Sequence, residues 1–419
     1  MTPIRTSRTS FTRIRALAVP ALLAVVLTAC GGGGGDAGAK GGSDGKGGDK
    51  GTPTAVPVTF SPANGKTGVD PASPVKVSLA EGTIGTVTVT AAAKSTDGVE
   101  PVEVTGKLDP AKHSWQSDRT MTPGTAYTVK VTAADKSGAQ KEQTSTFTTL
   151  AAAKTNGVTV TPLGNAVVGV GQPVSIAFDK PVTNRAAVEK QLSVTTTPAV
   201  QGSWGWITDP LTGTQRVDWR PTSYWTKGTK VTMTAKLSGL DTGSGRYLRR
   251  DVTSTFTIGT ARVSKVDIKA KKMTVTEDGQ TVKVINISAG KPDFPTWNGR
   301  MTVISKESTI HMTSSSVGIA TNKDAADFYD KDVKMAVHLT TSGTFVHAAP
   351  WNDAKMGKEN TSHGCVGMSD ADAKWFFDKA VRGDIVEVTG STRATVDKGN
   401  GYGEWNLDSA AWAKLSALS

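Results

Sequence analysis

Tyr127-Thr-Val-Lys-Val-Thr-Ala133 alternates apolar residues with threonine and lysine, the two-residue period of a half-buried strand. Val75–Leu79 and Val87–Thr90 follow the same grammar, and Gly, Pro and Asp turns separate the runs. Short strands at turn-rich spacing describe a β-sandwich, here over residues 52–150. Residues 151–260 repeat it. Trp115 and Gly124-Thr125 recur as Trp219 and Gly228-Thr229, each 104 positions later. Ser145-Thr-Phe-Thr148 recurs as Ser254-Thr-Phe-Thr257, 109 positions later. Three matches in one order indicate duplicated sandwich modules. Neither holds a reactive cluster: His113 is a lone histidine, and Trp204, Trp206, Trp219 and Trp225 read as packing residues rather than a sugar-binding platform. The modules are read as spacers.

Composition agrees with this reading. Of 419 residues, 37% are hydrophobic and 20% charged, enough to bury real cores. Aromatic residues are only 6%, while Thr, Val and Ser abound, which favours strands. The expected fold is mainly β: two immunoglobulin-like sandwiches, a third β-rich domain over 261–390, and an extension, 391–419, packing on that domain. Two cysteines exclude a disulfide framework or a Cys-rich zinc module. The net charge is +11, but Arg5, Arg8, Arg13 and Arg15 precede Cys30 with no acid among them, and 11 − 4 leaves +7. That balance does not call for a nucleic-acid partner.

Those arginines introduce an apolar run, Ala16–Ala29, of 14 residues, too short to span about 30 Å of hydrocarbon. Basic flank, short apolar core and small residues before a cut describe an export signal over residues 1–29. Leu27-Thr-Ala-Cys30 resembles a bacterial lipobox, in which Cys30 is lipidated. Residues 30–51 are glycine-rich and read as a flexible tether. The expected location is extracytoplasmic, on the outer face of the cell membrane in the cell wall space.

The chemistry lies further on. Four of the five histidines and the second cysteine fall between His311 and Cys365. The informative segments are Gly343-Thr-Phe-Val-His347-Ala-Ala-Pro350 and Thr361-Ser-His363-Gly-Cys365-Val-Gly-Met-Ser369. A lipidated Cys30 cannot pair with Cys365, which is therefore a free thiol and a candidate nucleophile that a nearby imidazole can deprotonate. Ser369 and Asp372 have capping-box spacing, and Trp375, Phe376, Phe377 and Ala380 fit a helix behind it. Cys365 is expected just ahead of that helix, where the dipole favours a thiolate. Gly364 permits close approach of a substrate carbonyl, with neighbouring amides for an oxyanion. A zinc site from His347, His363 and Cys365 is the metal alternative, against which His-Gly-Cys is an unusual ligand spacing. A buried inert cysteine is the plain alternative. His311 and His338 are read as structural.

The pattern His347, a spacer, then Ser362-His363-Gly364-Cys365 and a hydrophobic residue resembles the signature of the L,D-transpeptidase catalytic domain (YkuD type). Ala373-Lys-Trp-Phe-Phe377 and Arg382-Gly-Asp-Ile-Val-Glu-Val388 support the match, which extends over roughly residues 52–410. Actinobacterial members carry two immunoglobulin-like domains before the catalytic one. The resemblance implies that Cys365 attacks the tetrapeptide stem of peptidoglycan, releases D-alanine as a thioester forms, and passes the acyl group to a second stem in a 3→3 cross-link. It further implies His347 as base, oriented by the Ala348 carbonyl, and Gly364 and Cys365 amides as the oxyanion hole. His363 would shape the turn and tune the thiol. Tyr329, Ser342 and Gly343 fall where the family contacts donor or a carbapenem β-lactam, its inhibitor class. No cofactor is implied.

Two positions depart from the family. Gly367 stands where asparagine is usual, so a side-chain contact to substrate is expected to be missing. Asp241-Thr-Gly-Ser-Gly245 keeps one carboxylate in a turn where relatives bind a cation, and no metal is expected there. Rival functions are an L,D-carboxypeptidase, in which water replaces the amine, and a non-catalytic wall-binding lipoprotein. A papain-like endopeptidase orders cysteine before histidine, the reverse of this chain. Access of the acceptor would depend on a lid near Lys306–Asp330.

Overall fold

The computed structural model describes residues 56–96 and 98–419. The expected export signal, lipobox and tether lie outside the described residues. Along Ala126–Ala134 the side chains of Tyr127, Val129, Val131 and Ala133 are buried while Thr128 and Lys130 are exposed, as the alternation requires. In the first module one sheet runs Val58–Ser61, Lys76–Leu79, Ser114–Ser117, Gly106–Leu108. The other runs Lys66–Val69, Gln140–Thr149, Ala126–Ala134, Thr83–Ala91. Residues of both sheets, among them Val77, Trp115, Tyr127 and Phe147, share one core.

The second module repeats this order strand for strand. Val158–Thr161, Val174–Phe178, Gln215–Pro221 and Gly202–Thr208 make one sheet, and Val167–Val168, Val252–Ile258, Lys230–Ala235 and Leu192–Thr197 the other. The second strand pairs in parallel with the last in both modules. Trp115 and Trp219 occupy the same strand of their sandwiches, as do Phe147 and Phe256, and all four are buried. The repeat in sequence is therefore a repeat in structure. Trp206, Trp219 and Trp225 are core residues and Trp204 packs against them, while His113 is exposed. Asp241 accepts the amides of Gly243, Gly245 and Arg246 at 2.7, 3.3 and 3.0 Å, closing its own turn.

The third domain also has two sheets. One orders Gln280–Asn286, Lys272–Glu277, Arg262–Asp267, Ile385–Thr389, Gly299–Thr302. The other, which carries the chemistry, orders Ser305–Thr313, Asp330–His338, Phe345–Ala348, Val366–Met368. Helix Asp370–Lys379 follows. Its Ser369 cap accepts the Asp372 amide at 3.2 Å, and Ala373 and Phe376 enter the core.

The extension differs from its expected placement. Residues 391–402 do lie on the third domain, with Asn298 Nδ2 donating to the Ser391 and Arg393 carbonyls. The extension also reaches the second sandwich: Arg216 donates to the Gly399 and Gly401 carbonyls, while Asn406 still exchanges hydrogen bonds with the Arg300 backbone of the third domain. Trp405 Nε1 donates to the Gly171 carbonyl at 2.7 Å, and Trp412, 1% exposed, donates to the Ser203 carbonyl at 3.0 Å. The Arg220 guanidinium lies over both rings, 4.7 and 5.0 Å from their centroids. Two large aromatics need a deep apolar seat, and Gly205, which leaves room for the Trp412 ring, provides one. Ile385 and Trp405 join the sandwich core, so this module and the third domain share packing.

Candidate active site

Parallel strands Phe345–Ala348 and Val366–Met368 place His347 opposite Gly367, with Cys365 immediately ahead of the second strand. A cavity of about 610 Å³ opens over them, lined by His347, Cys365, Tyr329, Ser342, Gly343 and Gly367 among others. His363, Gly364, Trp351 and Arg393 also line it. The expected site residues are thus brought together, though they come from separate stretches of chain.

His347 is 6% exposed, and its Nδ1 lies 2.7 Å from the Ala348 carbonyl. A carbonyl only accepts, so Nδ1 carries the proton and Nε2 is left with its lone pair. Burial holds the His347 pKa below the ordinary histidine value, against the pull of that carbonyl, and the Lys331 charge lowers it further. The ring is neutral at pH 7. Cys365 is half-buried, and its thiol donates to the Gly343 carbonyl at 3.6 Å.

The expected low-pKa thiolate is not what the fold provides. Burial pushes the Cys365 pKa up to about 11, against the lowering effect of the Phe345 amide. The cause is topological. Strand Val366–Met368 intervenes between the thiol and the helix, so the helix start lies roughly 10 Å or more away at about 3.3 Å per residue. End charges of a helix act only within its first turn. The resting pair is thiol and neutral imidazole.

His363 does not touch the sulfur. Its Nε2 lies 3.0 Å from Asp327 Oδ1, and its ring sits against Phe294 and Tyr329, with centroids 5.0 and 5.2 Å away. Lys291 pairs with the same Asp327 oxygen, and Lys291 and His363 hold that carboxyl below the usual range. The two histidines turn to different partners, so the zinc arrangement is not formed among the described residues. Asp327 belongs to the segment 318–329, which closes the cavity from the side of Val317, Phe328 and Tyr329. Burial, then the charge Cys365 carries once ionised, pushes the Tyr329 phenol up to about 12. His311 lies between Asp330 and Asp332, and His338 stacks on Phe345 at 4.2 Å, both structural contacts.

The oxyanion hole also differs from expectation. The Gly364 amide donates to Ser362 Oγ at 3.1 Å, and that hydroxyl donates to the Cys365 carbonyl at 2.6 Å. Gly364 has φ +119°, a conformation glycine adopts without a Cβ penalty. Gly367 has no such need, since its φ is not positive. A Cβ there would come within 2.9 Å of the Ala349 Cβ, so the strand is packed for glycine.

Four residues without a sequence signal complete the site. Asp327 and Lys291 hold His363, as described. Asn400, from the extension, accepts the Ser342 amide at 2.9 Å and donates to Ser342 Oγ at 2.8 Å, fixing the turn that carries Gly343. Arg393 reaches the cavity from the same extension. Asn400 and Ser342 are 58 positions apart, and no local motif joins them.

Residues 66–241 match the bacterial Ig domain model and residues 261–388 the L,D-transpeptidase catalytic domain model. L,D-transpeptidase 2 of Mycobacterium tuberculosis (strain CDC 1551 / Oshkosh) is 37% identical over 96% of this chain and 95% of its own. L,D-transpeptidase 5 of the H37Rv strain is 31% identical over 97% of this chain and 84% of its own. The structure of L,D-transpeptidase 3 from Mycobacterium tuberculosis with a faropenem-derived adduct is 34% identical over 56% of this chain and 98% of that one, at a TM-score of 0.46. An Ig-like region ahead of this catalytic domain, with nearly full-length likeness at 37% identity, means that the chain belongs to the L,D-transpeptidase family.

Proposed function

We propose that this chain is an extracytoplasmic enzyme, anchored by lipid on Cys30, that forms 3→3 cross-links in peptidoglycan through a thioester on Cys365. The observation that carries this reading is the His347 ring. With Nδ1 committed to the Ala348 carbonyl, Nε2 is the basic nitrogen left on a residue that lines the cavity holding the one free thiol among the described residues.

Proton bookkeeping follows from the two pKa directions. A thiol near 11 does not ionise alone at pH 7, and a neutral imidazole is the available acceptor. Thiol rotation from the Gly343 carbonyl towards His347 starts the reaction. His347 takes the proton as sulfur attacks the carbonyl that joins the diamino acid to D-alanine. The Cys365 amide holds the oxyanion, and the Gly364 amide joins it on leaving Ser362 Oγ. The imidazolium then gives its proton to the departing amine of D-alanine. In the second half, His347 accepts a proton from the side-chain amine of the acceptor stem as that nitrogen attacks the thioester; the C–S bond then breaks and the imidazolium returns the proton to the Cys365 sulfur. Carbapenems would acylate the same sulfur by opening the lactam ring. The two sandwiches and the residues 30–51 would set the distance between membrane and cavity.

Mass spectrometry of the purified protein with a disaccharide-tetrapeptide tests this. Cross-linked dimers with loss of D-alanine are expected, through a Cys365 adduct that Cys365→Ala abolishes. Tripeptide without dimers would make the enzyme an L,D-carboxypeptidase, and neither product would leave a wall-binding role. Fractionation tests the anchor: Cys30→Ala should leave the membrane fraction while retaining activity.

A further inference from the structure

We propose that Arg393 forms a carboxylate-binding subsite beside the nucleophile, which recognises an acid group flanking the scissile amide of the donor stem. This deepens the function proposed above and rests on it. Arg393 lies in the extension, beyond the matched catalytic domain at 261–388. Its guanidinium lies 3.5 Å from the centroid of the Trp297 ring, and Nη1 donates to the Pro295 carbonyl at 3.3 Å. The same Nη1 is 3.9 Å from where a Cβ on Gly364 would stand, so the cation faces the loop that carries Cys365.

The placement is fixed from both sides. Asn298 Nδ2 donates to the Ser391 and Arg393 carbonyls at 2.8 and 2.6 Å, and Ser391 Oγ donates to the Thr296 carbonyl. The other cation that lines this pocket, Lys331, is exposed over Trp351, and nearby Lys291 is paired with Asp327. Arg393 is half-buried and forms no salt bridge with a carboxylate among the described residues; Asp293, on the same pocket, is exposed. Burial alone acts on its pKa, downward, with no anion opposing it. The guanidinium beside the Trp297 ring is planar, and its N–H groups in one plane suit the two oxygens of a carboxylate. An unpaired, partly desolvated cation in a substrate cavity is compensated when an anion arrives.

A donor stem offers one such acid beside the scissile amide, the terminal carboxylate of D-alanine, and a second, at the end of the side chain, where the diamino acid is a dicarboxylic one. Steady-state acylation kinetics would compare wild type, Arg393→Gln and Arg393→Lys on three tetrapeptides: the free acid, its D-alanine carboxamide, and its diamino-acid carboxamide. On the free acid, Arg393→Gln should raise KM about tenfold at nearly constant kcat, as expected for a charge-assisted bond kept through the reaction, and Arg393→Lys should recover part. One carboxamide should bring wild type down to the glutamine variant, and which one does so identifies the acid. Added salt should narrow the gap between wild type and variant.

An equal loss on all three donors would mean that Arg393 only holds Trp297 and its loop, and would overturn the subsite. So would a KM within about twofold of wild type on the free acid. In either case wild-type turnover would leave the proposed function standing. Absence of any Cys365 adduct in the wild type would overturn both.

Discussion

Replacing His347 by glutamine should expose how the Cys365 thiol is activated. Burial raises its pKa from 9.0 to about 11, which leaves roughly one molecule in 10⁴ ionised at pH 7. That is roughly a hundredfold less thiolate than at 9.0, or about 3 kcal/mol against the anion. Alkylation by iodoacetamide, which needs only thiolate, should therefore rise about tenfold per pH unit from 7 to 10 in wild type and in His347→Gln alike. Acylation by a carbapenem should behave differently. Its wild-type rate should stay level across pH 7–9, because His347, held below 6.5, is already neutral and ready to accept a proton. The glutamine variant should lose about 10²- to 10⁴-fold at pH 7 and regain rate as hydroxide replaces the base. Both rates are read by intact-mass spectrometry at timed intervals. An alkylation curve for wild type that levels off below pH 8 would mean a thiolate–imidazolium pair, and the neutral-pair argument would fall.

Gly367→Asn should not restore a missing substrate contact at no cost. Its Cβ would meet the Ala349 Cβ at 2.9 Å, so a loss of about 1–3 kcal/mol in chemical denaturation is expected from overpacking, and unchanged stability with a lower KM would contradict this. Glu404 is fully buried beside the Arg216–Asp218 pair, and both its oxygens lack a hydrogen-bond partner. Burial, then Asp218, raises its pKa from 4.5 to about 8, so protonated Glu404 favours the folded state below pH 4.5 and this advantage is lost as pH rises through 8. Glu404→Gln should accordingly melt higher than wild type at pH 8.5 and level with it near pH 4, and the reverse order would refute the assignment. Asp327→Asn should free Lys291 and His363 and speed hydrogen exchange of the backbone within 318–329; unchanged exchange there would show that Asp327 does not hold the segment closed.

The two sandwiches and the pair of residues proposed to react could be read from residue order alone. Strand alternation is a local property with a period of two, so Tyr127–Ala133 could be read without its neighbours, and Trp115 and Trp219 marked the same strand twice. The chemistry of Cys365 and His347 is likewise carried by residue type. Their protonation states were not legible. A pKa depends on how much water the fold removes and on which carbonyl or amide it brings close, and here burial outweighed a helix that proximity in sequence alone had made seem near. The partners of the site were hidden for the same reason. Asp327 meets His363 across 36 positions and Asn400 meets Ser342 across 58, distances at which side-chain contact is decided only by the packing of the sheets. The extension shows the limit most plainly: its tryptophans were visible in the chain, but the seat that Gly205 leaves for Trp412 exists only once the second sandwich is folded.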